Sequence, residues 1–305
     1  MDYSLLISHY YNNYKSKVFL TELTATGSTF YIMFIYDYDN EIENFSQTFL
    51  KYLPFYVRNS DYFTAIDEST DIDSFLEKRS RVLRRNSKII PKRTIATDGI
   101  YGELFLDFYL RIVNKYNAII TYANKRSFNS NNETTGPDNI VYFIDNTNSI
   151  NICICEAKFV GGASNAHKCL IEDIIGTSTK QGHITKEYLN EYFQFIVEKG
   201  NDISENDRKI FQPFLLDLNK QLDAGNDFIS VIIEHKICVN FIFFAIFDST
   251  KNEPDKLKDY YDEIYERCKE NTKKMKIINY KIKIVFIPTK NDTMDLKSAM
   301  EKSYE

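Results

Sequence analysis

The sequence predicts an α/β protein in which a mixed sheet is flanked by helices, and three observations carry that prediction. Runs rich in Val, Ile, Phe and Tyr recur between segments of helical periodicity. One pair of such runs, 140–144 and 150–159, is joined by a short polar connection, the mark of a β-hairpin. A hydrophobic share of 43% over 305 residues is ample for a packed core. The length suggests two regions, an N-terminal α/β region at 1–95, a candidate for partner binding, and a second domain at 96–305.

In the first region, Val18–Thr21 and Thr29–Tyr36 read as strands, with Thr26-Gly27-Ser28 supplying turn chemistry between them. Ile42–Tyr52 reads as a helix with Phe45, Phe49 and Leu50 on one side, ended by Pro54. A second helix is expected from Asp71 to Arg85. In the second region, Tyr101–Val113 reads as an apolar helix and Ile119–Tyr122 as a strand leading to the hairpin. After Gly161-Gly162, Ala163–Ile175 reads as a helix with Ala166, Leu170 and Ile174 inward. Helices at Leu189–Glu198 and Glu205–Leu222 (bent or broken at Pro213), a strand at Val239–Phe247, a helix at Lys256–Met275 and a strand at Tyr280–Ile287 complete the chain. Helix, strand, hairpin, helix and further strands is the order of a restriction-endonuclease-like core.

Nothing at Met1-Asp2-Tyr3-Ser4 has the form of a signal peptide, and the longest apolar run, Ile237–Phe247, is too short to cross a bilayer. Five cysteines, an odd number partly placed in expected strands, favour a reducing compartment and a cytoplasmic protein. Cys153 and Cys155 alternate onto the face opposite Glu156, as small core residues.

The chemistry concentrates at the hairpin. A turn centred on Thr147 pairs Ile144 with Ile150, Tyr142 with Ile152 and Ile140 with Ile154; the next pair out is Asp138 with Glu156. Lys158 follows two residues later, on the same face. Two carboxylates at cross-strand distance repel unless a positive charge lies between them. Mg²⁺, or Mn²⁺ in its place, is a hard cation that accepts one or two carboxylates and keeps several waters. A lysine beside the bound water can orient it or share in its deprotonation. The spacing, Pro137-Asp138 followed by Glu156-Ala157-Lys158, is similar to the PD-(D/E)xK nuclease signature. A second Glu-x-Lys, Glu234-His235-Lys236, lacks a Pro-Asp and a hairpin partner and serves as the internal control. Glu156 and Lys158 are expected at the solvent end of the hairpin, where their removal would leave folding close to normal.

Three further groups stay open between two or more readings. Glu103, within the apolar helix, is either a first-turn glutamate favoured by the helix dipole or a third carboxylate at the metal. From Lys78 to Arg93 the chain is basic, with Arg81, Arg84 and Arg85 at its centre and no acidic residue. That run is a solvated face, a set of phosphate contacts or a surface for an acidic partner. His167 and Lys168, near a helix start, are surface residues or phosphate contacts.

Gly102-Glu103 opening an apolar helix, Gly136-Pro137-Asp138, and Cys155-Glu156-Ala157-Lys158-Phe159 before an alanine-containing helix together resemble the HamA-type nuclease subunits of Hachiman anti-phage defence systems, over roughly residues 96–290. The resemblance implies a metal-dependent DNase of the PD-(D/E)xK class paired with a helicase subunit, HamB-like. It assigns Asp138 and Glu156 as metal ligands, Lys158 as the catalytic lysine and Glu103 as the helix glutamate. The family run around the aspartate is Gly-Ser-Asp-Gly; here Pro137 and Asn139 flank Asp138. A net charge of −5 with only local positive charge suits a nuclease whose grip on DNA comes partly from a partner. Two other classes share these features: a catalytically silent subunit that binds DNA or a helicase, and a junction resolvase or RNase with the same site chemistry.

Overall fold

A computed structural model describes residues 3–18, 21–24, 30–34, 40–57, 71–86, 99–120, 138–177, 182–199, 203, 205–249 and 254–302. The fold is mixed α/β, as the sequence predicts. A seven-stranded sheet runs in the order β1-β2-β7-β6-β5-β4-β3. Its strands are β1 (Thr21–Thr24), β2 (Phe30–Phe34), β3 (Asn117–Ile120), β4 (Asn139–Ile144), β5 (Ile150–Val160), β6 (Cys238–Asp248) and β7 (Tyr280–Thr289). β2, β7, β6 and β5 are mutually parallel, whereas β1, β4 and β3 pair antiparallel to their neighbours. β5 and β6 lie inside the sheet with helices on both faces, so both sides of each strand are buried and the sequence reads as a continuous apolar run.

One face carries α1 (Tyr3–Val18), α2 (Glu41–Val57), α3 (Ile72–Asn86), α4 (Gly99–Phe108, continued by a π-helical turn Tyr109–Val113) and α10 (Thr293–Lys302). The other carries α5 (Ala163–Ile175), α6 (Lys186–Lys199), α7 (Glu205–Asp223), the short α8 (Ile229–Glu234) and α9 (Pro254–Lys274). Alternation along β5 divides its side chains between the layers. Cys153, Cys155, Ala157 and Phe159 join the α1–α4 core, and Ile150, Ile152 and Ile154 join the other. Both cysteines of the hairpin are therefore buried core residues on the face opposite Glu156, as expected.

The described residues between 3 and 86 share this architecture. β2 pairs with β7, and Phe45 and Phe49 of α2 pack in one core with Phe105 of α4 and Phe159 of β5. The Glu41 carboxylate, fully buried at the start of α2, accepts hydrogen bonds from the backbone N–H groups of Lys290 and Asn291 and from Asn291 Nδ2.

Several boundaries differ from the expectations. Val18 ends α1 rather than opening a strand, and β1 starts at Thr21. α2 runs on through Pro54 to Val57. A proline inside a helix costs about 3 kcal/mol and strands the carbonyl four residues back; here that carbonyl, of Leu50, accepts the Ser80 hydroxyl. Burial of Tyr52, Leu53, Phe55 and Tyr56 then favours the extra turn. α7 continues through Pro213 without interruption, and β7 extends past Pro288 to Thr289. The strand expected at Ile119–Tyr122 lies two residues earlier, as β3. Thr26-Gly27-Ser28 and Gly136-Pro137 lie outside the described residues.

Candidate active site

The hairpin turn is organised by one side chain. Asp145 Oδ1 accepts from Thr147 N, Thr147 Oγ1 and Ser149 N, and Asn148 adopts φ +60°, a conformation that asparagine tolerates well. Asp145 N donates to Ser149 O and Asn148 N donates to Asp145 O, which closes the turn. That turn sets the register: Ile144 faces Ile150, Tyr142 faces Ile152, Ile140 faces Ile154 and Asn139 faces Cys155, as the sequence pairing requires. The ladder ends at that pair: Asp138, one residue before β4, donates its N–H to Cys155 O at 3.0 Å, so the expected Asp138–Glu156 pair is not a rung of it. Asp138 Oδ2 accepts from Ala157 N at 2.6 Å, which ties the aspartate to the segment between Glu156 and Lys158.

Glu156 and Lys158 project from β5 toward α5 and form the centre of the site. Lys158 Nζ lies 2.7 Å from Glu156 Oε1 and 2.5 Å from Asp173 Oδ2 of α5. His183 Nδ1 lies 3.1 Å from the other glutamate oxygen, Oε2, off the line of a good hydrogen bond. Glu156 is 6% exposed, Asp173 4% and His183 6%. The expectation of a solvent-end pair is thus corrected: the last turn of α5 and the segment before α6 cover the carboxylate. Burial by itself would push the Glu156 carboxyl up, but the Lys158 ammonium and then His183 outweigh it and hold the group well below the usual carboxylate range. Burial also works against the charge on Lys158, yet Glu156, Asp138 and Asp173 together raise its pKa well above the usual lysine range. Both hairpin carboxylates, Asp138 and Glu156, therefore favour the charged ammonium of Lys158.

The other expected residues have partners of their own. Glu103 lies on α4, against the opposite face of the sheet, past the first turn of its helix, and accepts from Tyr56 Oη at 3.1 Å. Its neighbour Gly102 rests directly on the Lys158–Phe159 backbone, where a Cβ would come within 3.4 Å. His167 Nε2 is 3.1 Å from Glu263 Oε2 of α9 and its ring stacks on Tyr260 at 4.3 Å. Lys168 is exposed, 3.8 Å from Glu172. Arg81 donates to Glu77 at 2.9 Å on α3, in the layer away from Lys158. The side chains of Arg84 and Arg85, and residues 87–98, lie outside the described residues. Glu234 and Lys236 of the control motif are exposed at the end of α8, with no strand pairing.

A buried polar group supports the site from the α4 side. Asp107, fully buried, accepts from Tyr52 Oη at 2.7 Å, Arg111 Nη1 at 3.2 Å and Asn139 Nδ2 at 2.8 Å. Asn139, the departure from the family's glycine, thereby fixes the strand start next to Asp138.

His183 and Asp173 were missed by sequence reasoning. Asp173 had a signal: three residues after Leu170 and one before Ile174, it stands on the inward face of its helix, where a carboxylate needs a partner. His183 had none beyond its rarity among four histidines.

The described residues contain no group of three or more His, Cys, Asp or Glu side chains that could enclose a metal by themselves. Mg²⁺ does not require such a cage, since one or two carboxylates with water and phosphate oxygens suffice. The donors present are of that hard-oxygen kind: Asp138, just before β4, holds its carboxylate on the N–H of Ala157, the residue next to Glu156, and Glu156 Oε2 is buried with His183 Nδ1 beside it. The residues fit the ion.

No helix among the described residues is long and apolar enough to cross a membrane. Comparison with curated proteins and with solved structures found no match. A family model, HamA, matches residues 9–303, so the relationship extends through the N-terminal region and beyond the 96–290 span that the sequence motifs mark. The chain therefore belongs to the HamA family and is a HamA-type component of a Hachiman anti-phage defence system.

Proposed function

We propose that this chain is a metal-dependent deoxyribonuclease, the DNA-cutting subunit of the defence complex, and that a HamB-like helicase works beside it. The observation that carries the reading is the meeting of Asp138, Glu156 and Lys158 at one end of a hairpin whose register the sequence dictates. The order α4, β3, β4, β5, α5, β6 supports reading the core as restriction-endonuclease-like.

Asp138 and Glu156 would hold Mg²⁺ or Mn²⁺, which when bound supplies a Lewis acid for phosphate oxygens and an acidified water. Glu156 stays ionised at neutral pH and so remains a ligand throughout. The carboxylates of Glu156, Asp138 and Asp173 favour the protonated form of Lys158, which suits it to orient a water or a phosphate oxygen and to offset developing negative charge. Asp173 holds the ammonium in place from the far side.

The test is cleavage of plasmid DNA by the purified full-length chain, alone and with its helicase partner, in Mg²⁺ or Mn²⁺. Glu156→Gln keeps the Lys158–Asp173 pair and should reduce cleavage by about 100-fold or more, as expected for loss of a group acting on the reacting atoms. Undiminished cleavage by that variant would overturn the assignment. Cleavage of RNA with no cleavage of DNA would move the substrate while keeping the site.

A further inference from the structure

We propose that His183 is a positioning residue for Glu156, built into the site to orient the carboxylate toward a divalent cation. The inference rests on the hydrolytic reading above and adds a residue to it. Glu156 is gripped from two sides: Lys158 Nζ takes Oε1 at 2.7 Å, and His183 Nδ1 stands 3.1 Å from Oε2. An ionised carboxylate only accepts, so Nδ1 is the protonated ring nitrogen. That contact limits the rotation of the carboxylate, and a carboxylate oxygen, with more than one lone pair, keeps capacity for another partner beside it.

The surroundings of His183 are those of a fixed group. It lies outside any helix or strand yet is buried, a position in which a polar side chain needs a partner. Its backbone N–H donates to Asp173 O at 2.6 Å, and Ile184 N donates to Ile174 O. Gly182 makes that approach feasible: a Cβ there would overlap the Ile174 carbonyl oxygen and the Gly176 nitrogen. Tyr188 and Tyr192 of α6 wall the imidazole at ring-centroid distances of 5.3 and 6.4 Å. Asp173 thus does two things at once: its side chain holds Lys158, and its carbonyl holds the backbone of His183. One turn of α5 aligns both partners of Glu156. Groups that orient a metal-binding side chain commonly contribute about 10- to 100-fold in metal affinity or rate.

The experiment measures uptake of Mn²⁺ alone by the full-length chain, from loss of the free-ion electron paramagnetic resonance signal, alongside cleavage of DNA. His183→Ala should weaken Mn²⁺ affinity by about 10- to 100-fold and lower kcat with little change in KM. His183→Asn, whose Nδ2 falls where Nδ1 stood, should recover most of both, whereas His183→Gln should not. Equal Mn²⁺ affinity in the parent and His183→Ala overturns the inference while leaving the nuclease reading intact if the parent still cuts. His183-dependent Mn²⁺ uptake by a parent that cuts no DNA, alone or with the helicase partner, supports the inference and overturns the nuclease reading. A parent that takes up no Mn²⁺ overturns both. If His183→Ala does not fold, the Asn and Gln variants decide, and equal affinity in those two overturns the inference.

Discussion

Replacing Lys158 with alanine removes an ammonium that stands 2.7 Å from Glu156 Oε1 and 2.5 Å from Asp173 Oδ2. At an effective dielectric of about 20, each contact carries roughly 6 kcal/mol of Coulomb attraction, most of it cancelled by the desolvation of the three groups. What shows on deletion is the penalty of two buried carboxylates left without their counter-charge, about 3–5 kcal/mol. For a chain of this length about 1 kcal/mol corresponds to roughly 2 °C, so the metal-free variant should melt roughly 6–10 °C below the parent near pH 7. The pH dependence has a definite sign. The depressed Glu156 pKa contributes stability that is present above its unfolded value and fades as pH falls through the folded one. The raised Lys158 pKa contributes stability that is complete below its unfolded value and fades as pH rises through the folded one. Between about pH 5 and pH 10 both contributions hold in the parent. In the variant the buried carboxylates favour protonation in the folded state, so the gap between the two melting temperatures should narrow from about pH 7 to pH 4. Mg²⁺ at roughly 100 times its Kd should return about 2.7 kcal/mol to any chain that binds it when folded. Calorimetric or fluorescence melting in chelator and then in Mg²⁺ provides the measurement. A variant melting within about 2 °C of the parent at neutral pH, or a gap that widens on acidification, would refute the reasoning.

Further outcomes follow from other contacts. Asp138→Asn removes a negative charge and a proposed ligand while keeping an acceptor for Ala157 N, so the variant should gain less stability from Mg²⁺ than the parent does; an equal gain would exclude Asp138 from the site. Asp107→Ala leaves Arg111 buried without its carboxylate and should cost about 3–5 kcal/mol, against about 1 kcal/mol for Tyr52→Phe, as urea titration would show. Gly182→Ala should push the His183 segment off α5 and weaken Mn²⁺ uptake in the manner of His183→Ala; unaltered affinity would show that the close packing there is dispensable. Glu234→Ala and Lys236→Ala, both exposed, should change stability by less than about 0.5 kcal/mol and leave cleavage intact, and loss of cleavage there would mean that the other Glu-x-Lys is the working one.

Local chemistry settled more of this protein than its length would suggest. Asp145 and Asn148 define a turn, the turn defines a register, a period of two then places Glu156 and Lys158 on one face, and Asp138 sits at the head of the opposite strand. Those steps involve residues within about twenty positions of one another, so the sequence contained them. The helix Ala163–Ile175 was legible for the same reason, its inward stripe being a local pattern. Where local signals misled, tertiary contacts had overridden them. Pro54 reads as a helix end until Ser80, from another helix, satisfies the Leu50 carbonyl. The burial of Glu156 and the two grips on it were decided by tertiary structure alone. Asp173 and His183 reach it from separate elements, one held to the other by a backbone hydrogen bond and a glycine contact. Such a meeting depends on how α5 docks on the sheet, and no periodicity along the chain records it, because packing between distant segments is set by the shape of the whole core.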